Sequence, residues 1–160
     1  MAKTEITAEP GTAQVTVTRE FEAPRDLVFR AYTDPDLIPR WLGPRDLTTT
    51  ITEYDVRDGG RYRYIHTDAD GNEYAFRGVF HGTPTPELTV QTFEFEGMPG
   101  HIALDAVTMV EQDGRTLVRT LSSFQSVEDR DGIVESGMET GIRDSDERLE
   151  ALLVELQGAA

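Results

Sequence analysis

A chain of 160 residues, 38% hydrophobic and 28% charged, is long enough to bury one sizeable core in a single domain. Its formal charge of −15, with Lys3 the only lysine, argues against a nucleic-acid or anionic-membrane surface, and no run approaches the roughly 18 apolar residues of a membrane span, so no membrane insertion is expected. Having no cysteine, it has no disulfides, thiolate chemistry or cysteine zinc sites.

Residues 1–12 are polar, carry Pro10-Gly11, and read as a flexible tail ahead of a single domain over 13–157. From Ala13 to Phe21 the residues alternate, with Val15, Val17 and Arg19 on one face and Thr16, Thr18 and Glu20 on the other, which predicts a strand. Ala23-Pro24 opens a helix whose buried face is Leu27, Val28, Ala31 and Tyr32, and Asp34-Pro35 ends it. A second short helix is expected from Pro35 to Leu42, with Trp41 on its last turn and Gly43-Pro44 as its stop.

Six strands follow. Leu47 to Val56 is threonine-rich and alternating, and Asp58-Gly59-Gly60 turns the chain. Arg61 to Thr67 puts Tyr62, Tyr64 and His66 on one face. After the turn at Asp70-Gly71, Glu73 to Gly82 does the same with Tyr74, Phe76, Gly78 and Phe80. Leu88 to Glu96 resumes after Pro84-Thr85-Pro86, and Ala103 to Glu111 pairs with Arg115 to Phe124 around Gln112-Asp113-Gly114. Short strands with tight turns and no intervening helix predict an antiparallel meander.

The last stretch, Val134 to Leu156, carries Val134, Met138, Ile142, Leu149, Leu152, Leu153 and Leu156 at helical spacing. Glu135, Glu139, Arg143, Asp146, Glu147, Arg148 and Glu150 lie on the water-facing side. Ser126 is suited to cap the irregular opening, and Asp131-Gly132 is a point of interruption. Gly137 and Gly141, one turn apart, each cost a helix about 1 kcal/mol relative to alanine. They imply either a close backbone approach or space beside the helix. The expected fold is α+β: a curved seven-stranded antiparallel sheet (β-α-α-β6-α) wrapped around a long C-terminal helix, with two short helices closing one end.

Trp41-Leu42-Gly43-Pro44, Gly59-Gly60-Arg61-Tyr62-Arg63-Tyr64, Asp70-Gly71, Gly78-Val79-Phe80 and Ser136-Gly137-Met138-Glu139-Thr140-Gly141 occur in that order along this element sequence. From about Val15 to Leu156 the chain resembles the homologues of the heat-shock-protein ATPase activator. These belong to the helix-grip superfamily that includes START lipid-transfer domains and birch-pollen-allergen-like proteins. Ile142 departs from the pattern, which usually has a large aromatic there, and so implies a larger or differently shaped cavity. The resemblance implies binding of an apolar small molecule in a cavity between sheet and helix. Some members of the superfamily are cyclases or other small-molecule enzymes.

The expected ligand-binding set is Trp41, Tyr62, Tyr64, His66, Tyr74, Phe76, Phe80, Met109, Met138 and Ile142. His66 is the one catalytic candidate, because alternation puts it on the aromatic face where it could serve as general acid or base. A core histidine bonded to a neighbour is the competing reading. His81 alternates outward and His101 follows a turn, so no metal site is expected, and no cofactor is implied. Three functions remain open: a carrier or binder of a lipid, polyketide or aromatic compound; a cyclase- or hydrolase-type enzyme using His66 and a tyrosine; and a chaperone-interaction module with a basic partner surface. The first strand or the segment after Pro84 offers an edge for a homodimer. The N-terminus lacks a basic-then-apolar leader, so a cytoplasmic location is expected.

Overall fold

The computed structural model describes residues 3–158. Its elements are β1 (Glu5–Thr7), β2 (Gln14–Phe21), α1 (Arg25–Thr33), a single 3-10 turn (Ile38–Arg40), β3 (Thr48–Tyr54), β4 (Arg61–Thr67) and β5 (Glu73–His81). Then come β6 (Thr89–Phe95), β7 (Ile102–Gln112), β8 (Arg115–Ser123), α2 (Val127–Glu135) and α3 (Met138–Gly158). The strands form one antiparallel sheet in the order β1-β2-β8-β7-β6-β5-β4-β3. The consecutive hairpins from β3 to β8 are the expected meander, and β2 joins it through β8.

The sheet has eight strands where seven are expected, because part of the anticipated tail is ordered. Glu5, Ile6 and Thr7 pair with Thr18, Val17 and Thr16. Side chains far along the chain hold this segment. The Thr4 hydroxyl donates to Asp146 at 2.6 Å, and Arg143 donates to the Thr4 carbonyl at 2.6 Å. Arg130 donates to the Glu9 carbonyl at 3.0 Å. Met1 and Ala2 of that tail lie outside the described residues. With β1 beside it, the first predicted strand is interior to the sheet and is not a dimer edge.

The second short helix is reduced to the turn Ile38–Arg40, since Pro35 and Pro39 each remove a backbone donor. The C-terminal helix is two helices. Ser126 caps α2 as expected, accepting from the Asp129 N–H at 3.0 Å. The break falls at Gly137, whose φ of +89° ends the helical path, and not at Asp131-Gly132, which lies inside α2.

Two packing clusters position the site. In one, Leu149, Leu152 and Leu153 of α3 pack with Phe21, Val28, Trp41, Val107, Met109 and Val118. Full burial of each such leucine is worth about 2 kcal/mol, so this half of α3 is fixed to the sheet. The other cluster is aromatic: Tyr62, Tyr64 and Phe80, with Tyr54, Phe76 and Phe93 against them. The first half of α3 packs less closely. Met138 and Ile142 there are half-buried, and Val134, at the end of α2, is exposed. Asp146, expected on the water-facing side, is buried together with Ser145; the Thr4 hydroxyl, just before β1, donates to Asp146, and the Gly43 N–H donates to Ser145 at 2.8 Å.

Candidate functional site

Between the aromatic wall and the first half of α3 the fold leaves a cavity of about 830 Å³. Its wall follows from strand alternation, which aims every second side chain of β4, β5 and β6 inward. Tyr62 and Tyr64 stack with ring centroids 6.2 Å apart, and Tyr64 stacks on Phe76 at 5.3 Å. Phe76 stacks in turn on Phe93 at 5.4 Å, so the wall is one continuous aromatic surface. All ten residues of the expected ligand-binding set line this cavity. Tyr62, Tyr64, His66 and Phe80 are buried in its sheet wall, whereas Tyr74 is 38% exposed at the end of that wall. Trp41 closes the capped end, tilted against Tyr32 at 4.9 Å, with its indole N–H donating to the Ala31 carbonyl at 3.0 Å. Met109 lines it from β7, and Met138 and Ile142 line it from α3.

The glycines serve other purposes than leaving room. A Cβ on Gly78 would stand 2.5 Å from the Tyr62 ring and 2.0 Å from the Thr92 carbonyl oxygen, so the space there is filled by the tyrosine. Gly141 faces Pro44, and a Cβ on it would make ordinary contact at 3.5 Å. The cavity lies where the first half of α3, and not its second half, faces the sheet.

His66 sits at the edge of the wall under Gly43, where a Cβ would come within 2.7 Å of the imidazole. The Thr49 hydroxyl donates its single proton to the Leu42 carbonyl at 2.7 Å. Toward His66 Nδ1, 2.9 Å away, it must therefore accept, which fixes the proton on Nδ1. Nε2 then carries a lone pair and has no hydrogen-bond partner among the described residues. Burial, helped by the positive charge of Arg148, lowers the imidazole pKa to about 4, so the ring is neutral at physiological pH. His81 and His101 are exposed, the latter paired with Asp129 at 2.9 Å. Among the described residues no three His, Asp or Glu side chains gather as a metal site.

Asp105 is the site residue that sequence reasoning missed. It lies on the inner face of β7 with Ala103, Val107 and Met109, and it lines the cavity. It keeps accessible surface because it borders the cavity, yet protein encloses it closely enough to hold its carboxyl up at about 6. The Ser122 hydroxyl, donating to it at 2.6 Å, pulls the other way. No cation of the described residues pairs with it. Tyr64 is also close enough for the Asp105 charge to act on it, although burial is the larger reason its hydroxyl pKa is raised. That hydroxyl has no partner among the described residues, whereas the Tyr62 hydroxyl donates to the Thr92 carbonyl. The signal for Asp105 was present in the sequence, as a carboxylate at an apolar alternation position.

Arg19 was visible in the same way, on the face of Val15 and Val17. Its guanidinium is nine-tenths buried, 3.8 Å from Glu150, and donates to Thr4 at 3.3 Å. Asp146 borders the same end of the cavity; burial raises its pKa, while Thr4, Arg19 and Arg143 oppose that rise. Arg19 Nε and Glu150 Oε2 are both buried without partners among the described residues.

The profile of the family described as activator of Hsp90 ATPase homolog 1-like protein matches residues 22–154. Among solved structures, a Mycobacterium smegmatis protein superposes with a TM-score of 0.85 at 24% identity, over 96% of this chain and 97% of the other. A solution structure from Arthrobacter aurescens gives 0.86 at 25% identity, over 94% and 91%. The AHSA1 protein from Silicibacter pomeroyi gives 0.70 at 19% identity, over 89% and 98%. These likenesses establish the helix-grip fold. No protein of curated function matches the chain.

Proposed function

Because the chain belongs to the activator of Hsp90 ATPase homolog 1-like protein family, we propose that it uses the helix-grip cavity to bind a hydrophobic small molecule: a lipid, polyketide or aromatic compound. The observation that carries this reading is the cavity itself. Its volume of about 830 Å³ falls within the range of small-molecule sites, and its lining joins an aromatic wall to a few polar groups. No helix of the described residues is long and apolar enough to cross a membrane. Native mass spectrometry of the purified protein, followed by thermal shift against a panel of apolar compounds, tests the reading. A stoichiometric ligand or a saturable rise in melting temperature supports it; an empty protein with no shift across the panel refutes it.

The free Nε2 of His66 favours a second reading, a cyclase- or hydrolase-type enzyme. There the neutral imidazole takes a proton from bound substrate beside Tyr64. A folded His66→Ala protein that binds but no longer turns over substrate supports it, and unchanged turnover removes it. The family description supports the chaperone-partner reading, with the −15 charge directing it to a basic surface. A pull-down that succeeds in low salt and fails in high salt would support it.

A further inference from the structure

The polar groups inside the cavity differ in what they leave unsatisfied, and that difference bears on the ligand. Among the described residues Asp105 accepts a side-chain hydrogen bond from Ser122 and pairs with no cation. His66 Nε2 at the wall, unpartnered among the described residues, is likewise an acceptor. The buried cation of the cavity, Arg19, is 3.8 Å from Glu150. Although its Nε lacks a partner, so does Glu150 Oε2, so that end already holds charges of both signs. Among the described residues, then, the cavity has no positive charge paired with Asp105.

The surroundings of Asp105 suit a cation. In the sheet register Gln91 lies opposite Asp105, and Phe93 lies opposite Ala103, one diagonal step from Asp105 on the same face. The charge on Asp105 acts on both Tyr62 and Tyr64. Aromatic faces carry partial negative charge and attract ammonium groups, most strongly where water is excluded. An isolated buried carboxylate is costly, and a counter-charge brought by a ligand offsets that cost. The protein's charge of −15 also draws cations and repels acids.

We propose that the bound molecule is an apolar compound carrying a protonated amine, with its ammonium group seated on Asp105 against the aromatic wall. The proposal rests on the small-molecule reading of the cavity and narrows it. Fatty acids and other carboxylates are disfavoured, because their head would meet Asp105 and not a free cation.

Three probes of one shape test this: naphthylethylamine, naphthylethanol and naphthylacetate, titrated calorimetrically at neutral pH into the full-length protein. The amine is expected to bind more tightly than the other two by about tenfold or more. That preference should disappear in Asp105→Asn and in Asp105→Leu. The two variants guard against misfolding, since one keeps the shape and the other replaces a buried charge with an apolar side chain. Equal or tighter binding of the alcohol or the acetate overturns the amine assignment. A preference that survives in either folded variant also overturns it. If none of the three binds, the assignment falls too, and the apolar panel then decides the broader reading. A ligand found there leaves the cavity function standing, whereas none removes both.

Discussion

Asp105→Asn should make the protein more stable at neutral pH, and the amount follows from the burial of the carboxyl. Folding moves this group from the ordinary aspartate value of 3.8 to about 6. Between those values the folded chain holds a proton that the unfolded chain has released, so this group's contribution to stability falls as pH rises through the window. Above about 6 the whole penalty applies. A difference of about two pH units, at about 1.4 kcal/mol each, comes to about 3 kcal/mol. Asparagine keeps the size and can still accept from Ser122, but it carries no charge to desolvate. Urea unfolding of both proteins at about pH 8 should show the variant ahead by about 1–3 kcal/mol, with roughly half of that gone by about pH 5. Other carboxylates titrate in the same range, but they are common to both proteins and cancel in the difference. A variant less stable than the parent at both pH values would refute the reasoning, as would a gap that does not change with pH. A residue that costs stability while bordering a cavity is what a binding function would retain.

Two alanine substitutions should separate close packing from backbone strain. Gly78→Ala places a methyl group against the Thr92 carbonyl and the Tyr62 ring, and should cost about 3 kcal/mol in a thermal or urea melt; a loss below about 0.5 kcal/mol would contradict the packing described. Gly137→Ala meets nothing within 4 Å but must adopt a φ of +89°, so about 1 kcal/mol is expected and the aromatic wall should be undisturbed in near-ultraviolet spectra. Nitrogen NMR of His66 should show a neutral ring protonated on Nδ1, titrating near 4. Because this value is depressed, the histidine's contribution to stability is complete above 6.5 and is lost as pH falls toward 4. A midpoint at or above 6, or the opposite tautomer, would overturn the hydrogen-bond assignment through Thr49.

Local pattern and tertiary structure each account for a distinct part of this protein. Arg61–Thr67 is the same strand in sequence and structure, because strict alternation between a Gly-Gly turn and an Asp-rich turn leaves one register that buries the tyrosines. The aromatic wall was legible for the same reason. β1 was not: only one of its three residues is apolar, and the segment around it is held by bonds of Thr4 and Glu9 to Asp146, Arg143 and Arg130, more than a hundred positions away in sequence. The helix break was half-legible. Gly137 was conspicuous by its spacing, but only its positive φ shows that it ends one helix and begins the next.

By itself the sequence determined the faces of the strands, and with them that Asp105 and Arg19 turn inward at apolar positions. Tertiary structure decided what those side chains meet. It filled the space beside Gly78 with Tyr62, paired Arg19 with Glu150, and left Asp105 without a cation in a cavity of about 830 Å³. Periodicity reports direction along one element. The distance between facing elements, which makes the difference between a packed core and a cavity, depends on how α3 is held by residues remote from it in sequence.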